Sequence, residues 1–164
     1  MKHLARTLSL LILVSAGLFF ANCGGTDPNP ASEEETQLNK FKASGAAWTI
    51  TDANDGTDRK DEYTGAKVTF SGTFSAGGTY SYTTTAPTPG WTNPSPWKKD
   101  ANWKFKSGSV GNKIIRTDDT QEMGYAFSNG DKTLTITFNY TGTGFNNGRI
   151  NSVAGDWTYV LTRP

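Results

Sequence analysis

Apolar and polar residues alternate with a period of two along most of the chain after residue 46. Where aromatic and β-branched residues take the apolar positions, this alternation predicts half-buried β-strands. The segments that show it are 48–51, 68–74, 80–83, 103–106, 123–127, 134–140 and 157–161, with Ile114-Ile115 as a weaker eighth. The chain is therefore predicted to be an all-β protein of eight strands.

Short turns between neighbouring strands predict how those strands are connected. Residues 75–78 (Ser-Ala-Gly-Gly) join the second strand to the third, and residues 128–131 join the sixth to the seventh. Asn129-Gly130 supplies the positive φ angles that a tight hairpin needs. Eight antiparallel strands in such a meander can close into an up-and-down barrel, which leaves no exposed edge. A β-sandwich is the alternative, with residues 86–101 as its candidate crossover.

A different pattern precedes the strands. Ser32 and Glu35 have the spacing of a capping box, and Leu38 and Phe41 lie three residues apart on one helical face. Gly45 is suited to ending the run. We therefore expect a short helix over residues 33–42 that packs Leu38 and Phe41 against the barrel.

The N-terminus has the three parts of an export signal. A short basic head leads into an apolar run over residues 8–20, which stops just before Cys23. A cysteine at the cleavage point predicts lipid attachment to its thiol, and two or three acyl chains anchor a protein stably. The predicted organisation is a signal peptide (1–22), a flexible tether beginning at the lipidated cysteine (23–32) and one β-barrel domain (33–164).

Cleavage of the signal would remove a residue that several kinds of catalytic site require. It takes away His3, the only histidine, and leaves 14 Lys and Arg against 15 Asp and Glu. With Cys23 acylated, Ser-His-Asp triads, Cys-His nucleophiles, disulfides and zinc sites on His or Cys are excluded. The near-neutral charge argues against nucleic acid. We expect no enzymatic activity, no metal and no cofactor.

Two acidic segments partly resemble functional sites, one a calcium-binding loop and the other the carboxylate pair of a glycosidase. Residues 52–58 lack the glycine and glutamate spacing of a calcium loop, which favours an acidic turn. Asp118, Asp119 and Glu122 could include a glycosidase pair, but no spacing rule marks them. Neither segment changes the expectation of a protein without catalysis.

Five features, taken in order, resemble a known family. The first two are the cysteine motif followed by Gly24-Gly25 and the short helix ending in Gly45-Ala46-Ala47-Trp48. The third is the aromatic strand pair over 68–82, and the fourth is the Pro-Trp loop leading into Trp103-Lys104-Phe105 and Ile115-Arg116-Thr117-Asp118. The fifth is the C-terminal pair of segments, Gly148-Arg149 and 155–161. Together they resemble the lipocalin-like lipoproteins of Bacteroidetes, which are calycin-type barrels. The resemblance implies a barrel that carries or displays something, on a protein anchored in the bacterial cell envelope, at the outer membrane.

Six residues are candidates for ligand contact. The loop 86–99 carries four prolines with Trp91 and Trp97, which could gate the barrel, stack on sugar rings or fold down as a plug. Tyr80, Tyr82 and Trp103 could line a pocket, or such rings could fill a small barrel completely. Arg116 could bind an anionic head group or form an ion pair with Asp118 or Asp156.

The function expected from these features is binding rather than catalysis. The chain is predicted to be a lipid-anchored envelope protein that binds a small apolar or amphipathic ligand in or near its barrel. The alternative is a surface module that binds polysaccharide or another envelope protein through its Trp-bearing loop.

Overall fold

Eight antiparallel strands form a closed barrel in which each strand pairs with its neighbours in sequence and the first pairs with the last. They are β1 (Trp48–Asn54), β2 (Lys67–Ser71), β3 (Tyr80–Thr85), β4 (Asp100–Phe105), β5 (Lys113–Arg116), β6 (Gln121–Ser128), β7 (Thr133–Tyr140) and β8 (Gly155–Thr162). The predicted up-and-down barrel is confirmed, and the sandwich alternative is wrong.

The computed structural model describes residues 31–88, 90–91, 93–145 and 153–164. The predicted signal peptide, Cys23 and most of the tether lie outside the described residues. Residues Ala31–Pro164 form one compact unit. All eight strands lie within this unit.

Helix α1 (Glu33–Lys42) has the predicted bounds and the predicted cap. The Glu35 amide donates to the Ser32 side chain over 3.1 Å, which satisfies one of the open amides of the first turn. Leu38 and Phe41 are fully buried. The helix ends in three consecutive residues with positive φ, Ala43, Ser44 and Gly45, so the left-handed turn begins two residues before the predicted stop at Gly45.

The alternating direction of the strands divides the connections between two ends of the barrel. The helix end carries α1 and the turns 72–79, 106–112 and 129–132. The mouth carries the loops 55–66, 86–99, 117–120 and 141–154, of which the second and the last are described only in part.

Two strand ends differ from the prediction. Strand β2 stops at Ser71, before Phe74, because Gly72 has a φ of 134° that residues with a side chain rarely adopt. A Cβ at Gly72 would lie 2.9 Å from the Tyr80 ring. Strand β1 continues to Asn54, so the predicted acidic turn begins later than residue 52. The hairpin at Asn129-Gly130 has the expected positive φ angles of 52° and 61°.

Aromatic rings fill the helix end of the barrel interior. The Phe41 ring from α1 inserts among rings of β2, β4 and β6, with centroid distances of 4.8 to 6.0 Å to Phe70, Trp103, Phe105, Tyr125 and Phe127. The helix therefore closes this end from within. A ligand that enters the barrel has to enter at the mouth.

Candidate ligand site at the barrel mouth

The proline-rich loop 86–99 folds into the mouth and places Trp97 inside it. The Trp97 side chain is 1% exposed, and its ring lies 5.3 Å from the Tyr82 ring and 5.0 Å from the Tyr159 ring. The Trp97 indole N–H donates to the Thr84 hydroxyl over 2.8 Å. Trp97 thus occupies the mouth as a plug.

Ser95 fixes the same loop through its side chain and its backbone. Its hydroxyl lies 2.7 Å from the Tyr63 hydroxyl, which in turn lies 2.9 Å from the Tyr159 hydroxyl. The Trp97 amide donates to the Ser95 hydroxyl over 3.0 Å. The Ser95 backbone pairs in both directions with Phe145, over 3.1 and 2.6 Å. Two mouth loops and β8 therefore hold the plug in place.

Arg116 ends β5 at the mouth and is completely buried. Its Nε and Nη2 donate to the Asp119 carboxylate over 2.9 and 2.8 Å, and its Nη1 donates to the Pro96 carbonyl over 2.9 Å. The guanidinium also lies 5.5 Å from the Phe145 ring centroid and 6.0 Å from that of Phe138. A buried cation of this kind needs a paired carboxylate, because desolvation of an isolated charge is costly.

The predicted ion pair of Arg116 has a different partner from those expected. Asp118 lies 3.7 Å from Lys98 instead, and Asp156 accepts a hydrogen bond from Asn139. The turn after β5 brings Asp119, three residues from Arg116, back to the guanidinium. The expectation of Asp118 or Asp156 is therefore wrong.

The ion pair shifts the pKa of both partners in the direction of the charged forms. Burial raises the pKa of Asp119, but the hydrogen bonds and charge of Arg116 outweigh burial and hold the pKa below its usual value of 3.8. Burial likewise lowers the pKa of Arg116, and its hydrogen bond to Asp119 reverses that shift. Both groups stay ionised at neutral pH.

Three buried polar atoms have no hydrogen-bond partner within the described ranges: Tyr82 Oη, Trp91 Nε1 and Trp103 Nε1. Such atoms are uncommon, because an unpaired buried donor costs about 1 to 3 kcal/mol. Burial raises the pKa of Tyr82 to about 12, while the nearby charge of Arg116 opposes that shift. The Tyr82 phenol is therefore a neutral donor at physiological pH.

The structure brings four of the six predicted contact residues close together. Tyr82, Trp97 and Arg116 meet at the mouth, and Trp103 pairs directly with Arg116 across β4 and β5. Trp91 is half-buried, with its ring edge-on to that of Tyr63. Tyr80 lies at the helix end, where its hydroxyl donates to Glu34, so it is separate from the mouth.

Sequence reasoning missed Tyr63, Ser95 and Asp119 as parts of this site. Ser95 had a usable signal, since it lies between Pro94 and Pro96 in the loop already singled out. Tyr63 had no comparable signal in the sequence, because it belongs to a 3₁₀ turn (Lys60–Tyr63) outside the alternating segments.

Within the ranges that the structure describes, no three His, Cys, Asp or Glu side chains are grouped as metal ligands. No helix in the described part of the chain is long and apolar enough to cross a bilayer. Comparison with protein-family models, curated proteins and solved structures finds no match to this chain.

Proposed function

We propose that this chain is a lipid-anchored, non-enzymatic protein of the bacterial cell envelope that binds one small apolar or amphipathic molecule at the barrel mouth. The export-signal pattern before Cys23 supports the anchor and the location. The position of Trp97 carries the binding proposal.

Trp97 is an apolar group of about the size of a small ligand, and it belongs to a loop rather than to a strand. Loops at the open end of a small barrel are the usual place for such a binding site. Withdrawal of the loop would expose the rings of Tyr82 and Tyr159 while every strand pairing of the barrel remains in place. The ligand therefore takes the volume that Trp97 occupies in the closed state.

The unpaired polar atoms support the same proposal. Trp91 and Tyr82 each bring a buried donor to the loop end of the barrel without an acceptor among the described residues. An oxygen atom on a ligand would supply that acceptor and recover part of the desolvation cost. An amphipathic molecule offers such an oxygen together with an apolar body.

A surface module that binds polysaccharide or another envelope protein is the second candidate. The filled interior around Phe41 favours it, because a barrel without space for a ligand can still present its loops. Stacking on sugar rings through Trp97 would require the loop to open, since that ring is 1% exposed. Trp91, which is half-buried, is the better candidate for such a contact.

Binding of a neutral fluorescent probe to residues 32–164 tests the proposal. This segment contains α1 and all eight strands, so it forms the whole compact unit. We expect N-phenyl-1-naphthylamine to bind saturably with one equivalent. Trp97→Ala should bind the probe more tightly, because the competing indole is gone. Phe105→Ala, which opens space at the helix end, is the matched control and should leave the affinity unchanged.

Two outcomes would contradict binding at the mouth. One is the absence of saturable binding by both the wild type and Trp97→Ala, with the fold of each verified by circular dichroism. The other is an equal gain in affinity for Phe105→Ala, which would mean that any interior space takes up the probe. The second candidate would then be preferred.

The anchor needs a separate test. Metabolic labelling with a radioactive fatty acid should label the wild-type chain and leave Cys23→Ala unlabelled. Equal labelling of both chains, or no label on the wild type, would contradict lipidation at Cys23.

A further inference from the structure

We infer that the mouth contains a binding site for the anionic head group of an amphiphilic carboxylate, formed by Arg116 and Tyr82. This inference rests on the proposed function and names the chemical class of its ligand. It goes beyond apolar binding, because it assigns a charge to one end of the ligand.

Tyr82 and Arg116 lie on β3 and β5, the two strands that flank β4. Trp103 of β4 pairs directly with Arg116 of β5, and Tyr82 of β3 pairs with Ala101, two residues before Trp103. All of them belong to the buried inner face of the barrel. Ala101 contributes only a methyl group at the inward position beside Tyr82, so the inner wall carries little side-chain bulk there.

The Tyr82 hydroxyl is a donor that needs an acceptor. Its hydrogen has no acceptor among the described residues, and the side chain is 1% exposed. The Arg116 guanidinium is close enough to hydrogen-bond to the Tyr82 oxygen, and each residue acts on the pKa of the other. A guanidinium cannot accept the phenolic hydrogen, because it has donors only. The missing partner is therefore an acceptor, and a carboxylate is the acceptor that a guanidinium prefers.

In the structure, the loop 86–99 already places a carbonyl oxygen and an apolar ring at the proposed site. The Pro96 carbonyl oxygen accepts from Arg116 Nη1 over 2.9 Å, and the next residue, Trp97, fills the mouth with an apolar ring. A carbonyl oxygen on the guanidinium, followed directly by an apolar body, has the arrangement of an amphiphilic carboxylate. We therefore place the ligand head group on Nη1 of Arg116 and its apolar chain in the volume of Trp97.

Asp119 determines which edge of Arg116 faces the ligand. It occupies Nε and Nη2, so the Nη1 edge is the one that is held only by the neutral Pro96 carbonyl. Lys98 is a second cation near this site, with its Nζ 5.0 Å from the Phe145 ring and 3.7 Å from Asp118. Removal of the Asp119 charge leaves Arg116 without its resident carboxylate and should favour an incoming anion.

A pair of matched probes tests the site in the segment 32–164. One probe is 11-(dansylamino)undecanoic acid and the other is its methyl ester, titrated at a pH at which the acid is ionised. We expect the acid to bind at least about tenfold more tightly, as charge-assisted hydrogen bonds predict. Tyr82→Phe should lower the affinity for the acid about fivefold and the affinity for the ester by less, because a neutral carbonyl is the weaker acceptor. Its fold should be intact, because the Tyr82 hydroxyl hydrogen has no acceptor among the described residues and Arg116 keeps its bonds to Asp119 and Pro96.

Two further variants sharpen the test. Tyr80→Phe is the matched control, because the Tyr80 hydroxyl bonds to Glu34 at the helix end, and it should leave the ratio of acid to ester affinity unchanged. Asp119→Asn should raise that ratio, because it removes the resident carboxylate from Arg116 while an amide remains in its place. A rise in this ratio cannot come from a mere loss of structure, because apolar surface exposed by unfolding would bind both probes.

The outcomes separate the head-group site from the proposed function. Absence of binding for both probes would overturn both. Equal binding of acid and ester, or an unchanged ratio in Tyr82→Phe, would overturn the head-group site and leave ligand binding at the mouth in place. Butanoate supplies the same carboxylate without a long chain. If it displaced the probe as well as dodecanoate does, a free small anion would replace the amphiphile as the ligand.

Discussion

The Arg163 guanidinium lies 4.6 Å from the ring centroid of Trp48, at the helix end of the barrel. The Trp48 indole N–H donates to the Phe41 carbonyl over 2.8 Å. The chain after β8, the start of β1 and the end of α1 are therefore tied together at one indole. The helix end is closed by residues from both ends of the domain, which leaves the mouth as the place where the barrel can open.

Arg163→Ala should destabilise the domain by about 1 kcal/mol, because a cation–π contact of a half-buried arginine is worth roughly that amount. Arg163→Lys should recover part of the loss. Urea unfolding measures both variants, with Lys104→Ala on the exposed face of β4 as the control. If Arg163→Ala matched the control, the contact with Trp48 would contribute nothing to closure.

Phe41→Ala should cost about 3 to 5 kcal/mol, because it leaves a cavity among five aromatic rings. Asn39→Ala changes an exposed residue of the same helix and should stay within about 0.5 kcal/mol of the wild type. Urea unfolding of both variants measures the difference. A loss below about 1 kcal/mol for Phe41→Ala would mean that the ring contributes little to the core.

Asp119→Asn should show a stability deficit that depends on pH. The folded pKa of Asp119 lies below its unfolded value of 3.8, so its contribution is complete above that value and is lost as the pH falls through the folded pKa. The difference in unfolding free energy between the wild type and the variant should be largest near neutral pH and shrink toward about pH 3. Asp118→Asn, at 3.7 Å from Lys98, is the control and should cost little at either pH. A deficit independent of pH would contradict the ion pair with Arg116.

All six tyrosines have a raised pKa, and burial is the largest cause at each. Tyr63 and Tyr82 reach about 12. A group whose folded pKa is raised contributes stability below its unfolded pKa of about 10, and that contribution is lost as the pH rises through the folded value. Near pH 11, roughly one unit above the ordinary value, the folded domain should therefore show much less tyrosinate absorbance than the urea-unfolded chain. Equal absorbance would contradict burial of the tyrosines in the folded domain.

The barrel and its helix could be predicted because their signals are local. The alternation of residues 134–140 and the spacing of Leu38 and Phe41 each mark a buried face without reference to the rest of the chain. The end of β2 was harder to predict from the sequence, because the break at Gly72 depends on the approach of Tyr80 from the next strand. Contacts between neighbouring strands determine where a strand ends, and the residue pattern of one strand does not reveal those contacts.

The site could be predicted only in part. Trp97 and Arg116 stand out by residue type, and the structure places both at the mouth. The choice of Asp119 over Asp118 as the partner of Arg116 depends on the backbone of a four-residue turn, in which Thr120 has a positive φ of 57°. Two adjacent carboxylates are equivalent in the sequence until that turn determines which of them faces inward.

Native mass spectrometry of residues 32–164, purified without detergent and then incubated with one long-chain carboxylic acid, tests the central claim most directly. Ligand binding at the mouth predicts one bound molecule per chain, present as an excess mass that is released on denaturation. A bare polypeptide mass, both as purified and after incubation, would contradict ligand binding and favour a filled barrel that acts through its outer surface.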